Sequence, residues 1–206
     1  MFEHTVNSAI ANPPADYVRE TCPDQYVGML YQFEKGAIDF PCRQLPEASC
    51  FYGRRAILIL ESPHKREFVE PVGPAKGSTG SLIRKHLQGI LSAYENSDFG
   101  IFLMNAIQNQ CSLGRSPKQY PYRDVVFKEA WESYGQADFI RRLISLADGR
   151  EALVINACTL GRRIGSEQSR REWVEKAVCE ALNRASDIRI THPASWASSA
   201  SRNAHW

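Results

Sequence analysis

Four short apolar runs, each ending in a polar residue able to do chemistry, limit what this chain can become. Ala56–Leu60 runs into Glu61-Ser62-Pro63-His64, and Gly100–Met104 into Asn105. Ala152–Ile155 runs into Asn156, and Ile188–Ile190 into Thr191-His192-Pro193. Ala56–Leu60, apolar throughout rather than alternating, predicts a strand buried on both faces. If the four lie parallel in one sheet, their polar tips gather along its carboxyl edge, where open α/β sheets place a ligand crevice.

The stretches between the runs carry helical periodicity. After the loop Ser62–Thr79, residues Leu82, Ile83, Leu87, Ile90, Leu91 and Tyr94 recur with helical spacing, and Ser78 or Thr79 stands where a cap belongs. A longer helix is expected around Phe127–Ala147, with Trp131, Tyr134, Leu143 and Ile144 facing the core and Asp148-Gly149 as its stop. Another, over Ser169–Ala185, buries Trp173, Val174, Ala177, Val178 and Leu182. Pro13-Pro14 before Tyr17, Met29, Leu30 and Phe33 predicts a first helix within Asp16–Phe33, kinked or broken at Pro23. Gly36–Tyr52 reads as an irregular lead-in.

Strands alternating with helices imply right-handed crossovers and a parallel sheet covered on both faces. The expected fold is therefore α/β, a three-layer α/β/α sandwich with a four-stranded parallel central sheet. At 206 residues it reads as one domain, with 1–54 as N-terminal helix and lead-in and 55–206 as sheet and site loops.

Several classes are disfavoured. No apolar stretch approaches the ~20 residues that span a bilayer, and Met1–Ile10 lacks the pattern of a secretory signal. A cytoplasmic protein, a monomer with no membrane association, is expected. The six cysteines, Cys22, Cys42, Cys50, Cys111, Cys158 and Cys179, form no Cys-x-x-Cys pair, so buried free thiols are expected and no metal. Net charge is only +2, too weak to argue for nucleic acid by itself. Arg141-Arg142 and Arg170-Arg171 read as solvated helix faces. Arg115, Lys118 and Arg202 stand equally as phosphate contacts or solvated surface, and Arg123 lies close to the first two.

Three motifs carry the chemistry. Glu61-Ser62-Pro63-His64 precedes Gly73-Pro74-Ala75-Lys76-Gly77-Ser78-Thr79-Gly80, whose glycines let backbone N–H groups approach an anion at a helix start. The spacing matches neither the P-loop nor the dinucleotide pattern, so no cofactor is expected. Phe102-Leu103-Met104-Asn105-Ala106-Ile107 and Thr191-His192-Pro193-Ala194-Ser195 complete the set.

In this order the motifs resemble those of the uracil-DNA glycosylase superfamily, over the stretch from Ala56 to the C-terminus. Its members carry a water-activating loop at a strand end, a Gly-x-x-Gly helix start, an apolar strand ending in Asn, and a final His-Pro-Ser type loop. The resemblance implies that Asn105 reads a flipped pyrimidine through its amide. It implies that His192 stabilises negative charge on the departing base. Gly77 and Ser78 would contact DNA at the helix start. Trp196 would wedge the duplex, or else pack the C-terminal segment down, with Ser195, Ser198 and Arg202 on phosphates.

The chain departs from its relatives in two places. Where the best-known members have Asp it has Ser62, preceded by Glu61. Glu61 is the leading candidate to orient the water and offset charge on an oxocarbenium-like sugar, with Ser62 or His64 as alternatives. Ala75 falls near an aromatic residue that stacks on uracil in several relatives, and alanine cannot stack. Phe68 is the alternative source of a ring. A pocket opened in this way resembles the anti-phage branch, whose members excise glucosylated hydroxymethylcytosine from phage DNA. The expected function is thus a monofunctional DNA glycosylase, partnered by DNA, using neither metal nor organic cofactor. The alternatives are uracil excision in base-excision repair and a catalytically inactive nucleic-acid-binding module.

Overall fold

In the computed structural model, residues 1–31, 40–45, 53–94, 97–113, 122–147, 151–161, 168–203 and 205–206 are described. Among the described residues five strands form one mixed sheet: β1 (Gln25–Leu30), β2 (Arg54–Leu60), β3 (Phe99–Asn105), β4 (Ala152–Asn156) and β5 (Ile188–Arg189). Their order is β1-β3-β2-β4-β5. The four apolar runs are β2 to β5, all parallel. The expected four-stranded sheet is corrected to five, because β1 adds an antiparallel edge to β3.

That edge strand occupies part of the segment read as the first helix. The only N-terminal helix among the described residues is α1 (Phe2–Ala9), before Pro13-Pro14. The register of β1 slips between Tyr26 and Gly28, and Gly28 takes φ 137°. This bulge disrupts the alternation that marks a strand, leaving Met29 and Leu30 looking helical. Most of the lead-in Gly36–Tyr52 lies outside the described residues, as do Asp148 and Gly149.

Helices cover both faces. Side chains alternate along each strand, so Ile57, Ile59, Phe102, Met104 and Val154 meet one core. Its helices are α3 (Tyr122–Ala130), α4 (Gln136–Ala147) and α5 (Arg170–Leu182), through Phe127, Phe139, Leu143, Val174 and Val178. One π-helical turn, Trp131–Gly135, joins α3 to α4, so the expected helix starts earlier, at Tyr122. Ala56, Leu58, Leu60, Leu103 and Ile155 meet the other core, where α2 (Ser78–Ile90) supplies Ile83 and Leu87.

This division opens the crevice. The chain leaving β2 enters α2 on one face, while the chains leaving its neighbours β3 and β4 enter helices on the other. The tip of β2 is therefore flanked by segments that diverge, which is what creates a binding crevice in a doubly wound sheet. No helix among the described residues is long and apolar enough to cross a membrane.

Candidate functional site

A cavity of about 740 Å³ lies at that edge, and Glu61, Ser62, His64, Asn105 and His192 all line it. Gly77, Ser78 and Thr79 bring the start of α2 to the same cavity. Residues from the ends of three different strands thus face one hollow. Sheet register explains much of this. Leu60 pairs with Asn105, and the ladder continues one step past the strands through Ala106 N–H to Leu60 O (2.9 Å) and Ile107 N–H to Glu61 O (3.0 Å).

Glu61 is buried and heavily engaged. Its Oε1 accepts from Arg170 Nη1 at 2.6 Å and from Ser62 Oγ at 3.3 Å, while Oε2 accepts from Thr159 Oγ1. Arg170 also pairs with Asp124 (3.0 Å) and stands over the Phe127 ring at 5.7 Å. Reading Arg170 as part of a solvated helix face is therefore corrected: only 2% of its side chain is exposed. Gly161, at φ +71°, passes so close that an added Cβ would sit 2.2 Å from Arg170 Nε.

The two histidines differ. His192 Nδ1 accepts from the Ala194 backbone N–H at 3.2 Å, so in its neutral form the proton sits on Nε2. Burial lowers its pKa to about 4; Glu61 opposes this and Arg123, Arg170 and Arg171 reinforce it. His192 is accordingly an uncharged donor at pH 7. His64 is exposed and caps the 3-10 turn Lys65–Phe68, with Nδ1 accepting from Arg66 N–H at 3.3 Å. That bond engages the nitrogen a general base would use.

Two strand-end asparagines, alike in sequence, are chemically opposite. The Asn156 amide is saturated by Glu175 (2.9 Å), the Arg171 carbonyl (3.3 Å) and the Cys158 N–H (3.1 Å). Among the described residues the Asn105 side chain meets only Cys22 Sγ, at 4.0 Å. Burial pushes the Cys22 thiol up to about 12 and raises Cys111 and Cys158 as well, so these thiols stay protonated.

Other expected positions fall elsewhere. Ala75 does not line the cavity: it is fully buried at φ 55°, its N–H donated to Glu67. Phe68 is half-buried and does not line it either. Trp196 is fully buried, its indole N–H donated to Thr191 O at 2.8 Å, so it packs the C-terminal segment instead of projecting as a wedge. Arg202 turns inward to the Trp196 and Ala197 carbonyls. Ser195 is exposed, with its hydroxyl bonded to His192 O at 2.7 Å. Arg115 and Lys118 lie outside the described residues.

The structure adds residues the sequence reading missed. Glu67 lines the cavity and ties its two loops together, accepting from His64 N–H at 2.7 Å and from Ala75 N–H; burial raises its pKa. Arg66, Arg123 and Thr159 line it too. No local signal marks Glu67, whose partners are set by how the glycine-rich loop returns. Arg142, also read as solvated, is buried against Asp24 (2.8 Å) and donates to the Asn105 and Ala106 carbonyls at 3.1 Å each. Arg141 is exposed as expected.

Fold and site together define an open α/β protein with a polar crevice at the carboxyl edge of its parallel strands. Compared with known proteins, the chain matches no family model, no curated protein and no solved structure. Among the described residues no group of His, Cys, Asp and Glu is arranged to hold a metal ion.

Proposed function

We propose that this protein is a DNA glycosylase that draws a pyrimidine into the cavity and hydrolyses its N-glycosidic bond, leaving an abasic site. The observation that carries this reading is the buried, unsaturated amide of Asn105, beside Glu61 and His192 in one cavity. An amide offers one donor side and one acceptor side, the pattern needed to read a base edge.

The roles follow from the partners. Glu61, already accepting three hydrogen bonds, acts by its negative charge near the sugar rather than by taking a proton. The Ser62 hydroxyl donates to Glu61 and keeps its lone pairs for a water hydrogen, which orients the attacking oxygen. His192 donates its Nε2–H to the departing base, where negative charge develops. A cavity of about 740 Å³ exceeds what a bare pyrimidine ring fills, which favours a base carrying a bulky substituent, as in glucosylated phage cytosine. Ala75 supplies no part of that argument, because it lies outside the cavity.

A second reading, a binding module without catalysis, draws on the same ion pairing of Glu61. One experiment separates the two: incubate ordinary, uracil-containing and glucosylated phage DNA with the protein, then treat with alkali. Strand breaks with one of the modified DNAs, reduced in Glu61→Gln and His192→Ala, support the enzyme. Salt-sensitive binding without breaks supports the module.

A further inference from the structure

Bond cleavage of this kind leaves negative charge on the base, and the cavity's charges are not equally free to meet it. His192 is neutral. Arg170 is enclosed between Glu61 and Asp124 and does not line the cavity. Arg66 lines it but is exposed.

Arg123 differs from all three. It comes from the first turn of α3 and lines the cavity, with its side chain 37% exposed. Its Nε forms an ion pair with Glu61 Oε1 at 3.7 Å, too long for a hydrogen bond. Among the described residues that buried Nε–H has no hydrogen-bond partner. A buried donor left unmade is rare in a folded protein and asks for an explanation; a side chain that turns from Glu61 to meet an acceptor brought by the substrate supplies one.

We propose that Arg123 is a catalytic residue whose Nε–H and positive charge stabilise the departing base. This rests on the glycosylase reading. The bond between C1′ and the base nitrogen breaks and its electron pair leaves with the base. The water oxygen bonds to C1′, and the proton that water loses ends on the base. Arg123 meets the charge that exists between those events, alongside the His192 donor. It neither gives up nor takes a proton.

The test is single-turnover base release by the full chain on uracil-containing and glucosylated phage DNA, with binding to the same DNA measured separately. Arg123→Ala is expected to slow release by about 100- to 1,000-fold, as for loss of one donor to a developing anion, with unchanged DNA affinity. Millimolar guanidinium is expected to restore part of that rate and leave the native protein unaffected. Arg123→Lys keeps the charge without the Nε–H, so an intermediate rate is expected. An unchanged rate in Arg123→Ala, a loss that guanidinium does not relieve, or weaker binding with an unaltered rate would each overturn the assignment. No release by the native protein from either DNA would overturn the glycosylase reading, and this with it.

Discussion

Arg170 Nη1 lies 2.6 Å from Glu61 Oε1, joining side chains 2% and 5% exposed from positions far apart in the sequence. The pair welds the tip of β2 to the start of α5. Its value depends on both partners staying in place, since a buried charge that loses its partner is costly. Arg170→Met should destabilise the protein by about 3–5 kcal/mol, measured by urea unfolding. The double variant with Glu61→Gln should cost less than the sum of the two single changes. Simple additivity would mean the pair is not coupled.

The two asparagines provide an internal control. Asn156→Ala strands the Cys158 N–H and leaves Glu175 Oε2 with the Ser186 hydroxyl alone, and should cost about 1–3 kcal/mol. Among the described residues Asn105→Ala removes only the 4.0 Å hydrogen-bond contact with Cys22, so its effect on stability should be smaller while base release is lost. Urea midpoints and release rates for the two variants read both outcomes. Equal destabilisation would show that Asn105 is structural.

His192 makes stability depend on pH with a defined sign. Its pKa falls from 6.5 to about 4 in the folded chain. Between those values the unfolded chain binds a proton that the folded one refuses, so stability against unfolding rises with pH across this window. It levels off above 6.5. The contribution is at most about 3 kcal/mol. Comparing unfolding of the native protein and His192→Gln from pH 4 to 7 should show a flatter profile in the variant; parallel profiles would contradict the lowered pKa of the imidazole.

Trp196 is a packing residue here. Trp196→Phe forfeits the bond to Thr191 O, and should cost about 1 kcal/mol with DNA affinity unchanged. Trp196→Ala should cost about 3–5 kcal/mol. Thermal unfolding and a binding titration check both. A large loss of affinity in the stable Phe variant would restore the wedge.

The legible parts of the sequence were those where one physical rule acted alone. The apolar runs within β2, β3 and β4 are dense because helices cover both faces, and that density survives without tertiary knowledge. β1 was lost because a bulge at Gly28 disrupts its alternation and β3 supplies its stability. The tips of β2, β3 and β5 line one cavity. The difference between Asn105 and Asn156 was not legible. Asn105 pairs in register with Leu60, whereas Asn156 pairs with Ile59. That single step turns one side chain toward the cavity and the other toward α5. Arg170 and Arg142 were misread for a related reason: next to a second arginine each looks like surface, and its acidic partner is remote in sequence.

The central claim is that Asn105, Glu61 and His192 act on one extruded base, and the most direct measurement is mass-spectrometric detection of the free base. Glucosylated phage DNA and uracil-containing duplex should be incubated with native protein and with Asn105→Ala. The account expects a single free pyrimidine base, released by the native protein and absent with the variant. Binding of both DNAs by the native protein with no base released from either would contradict it.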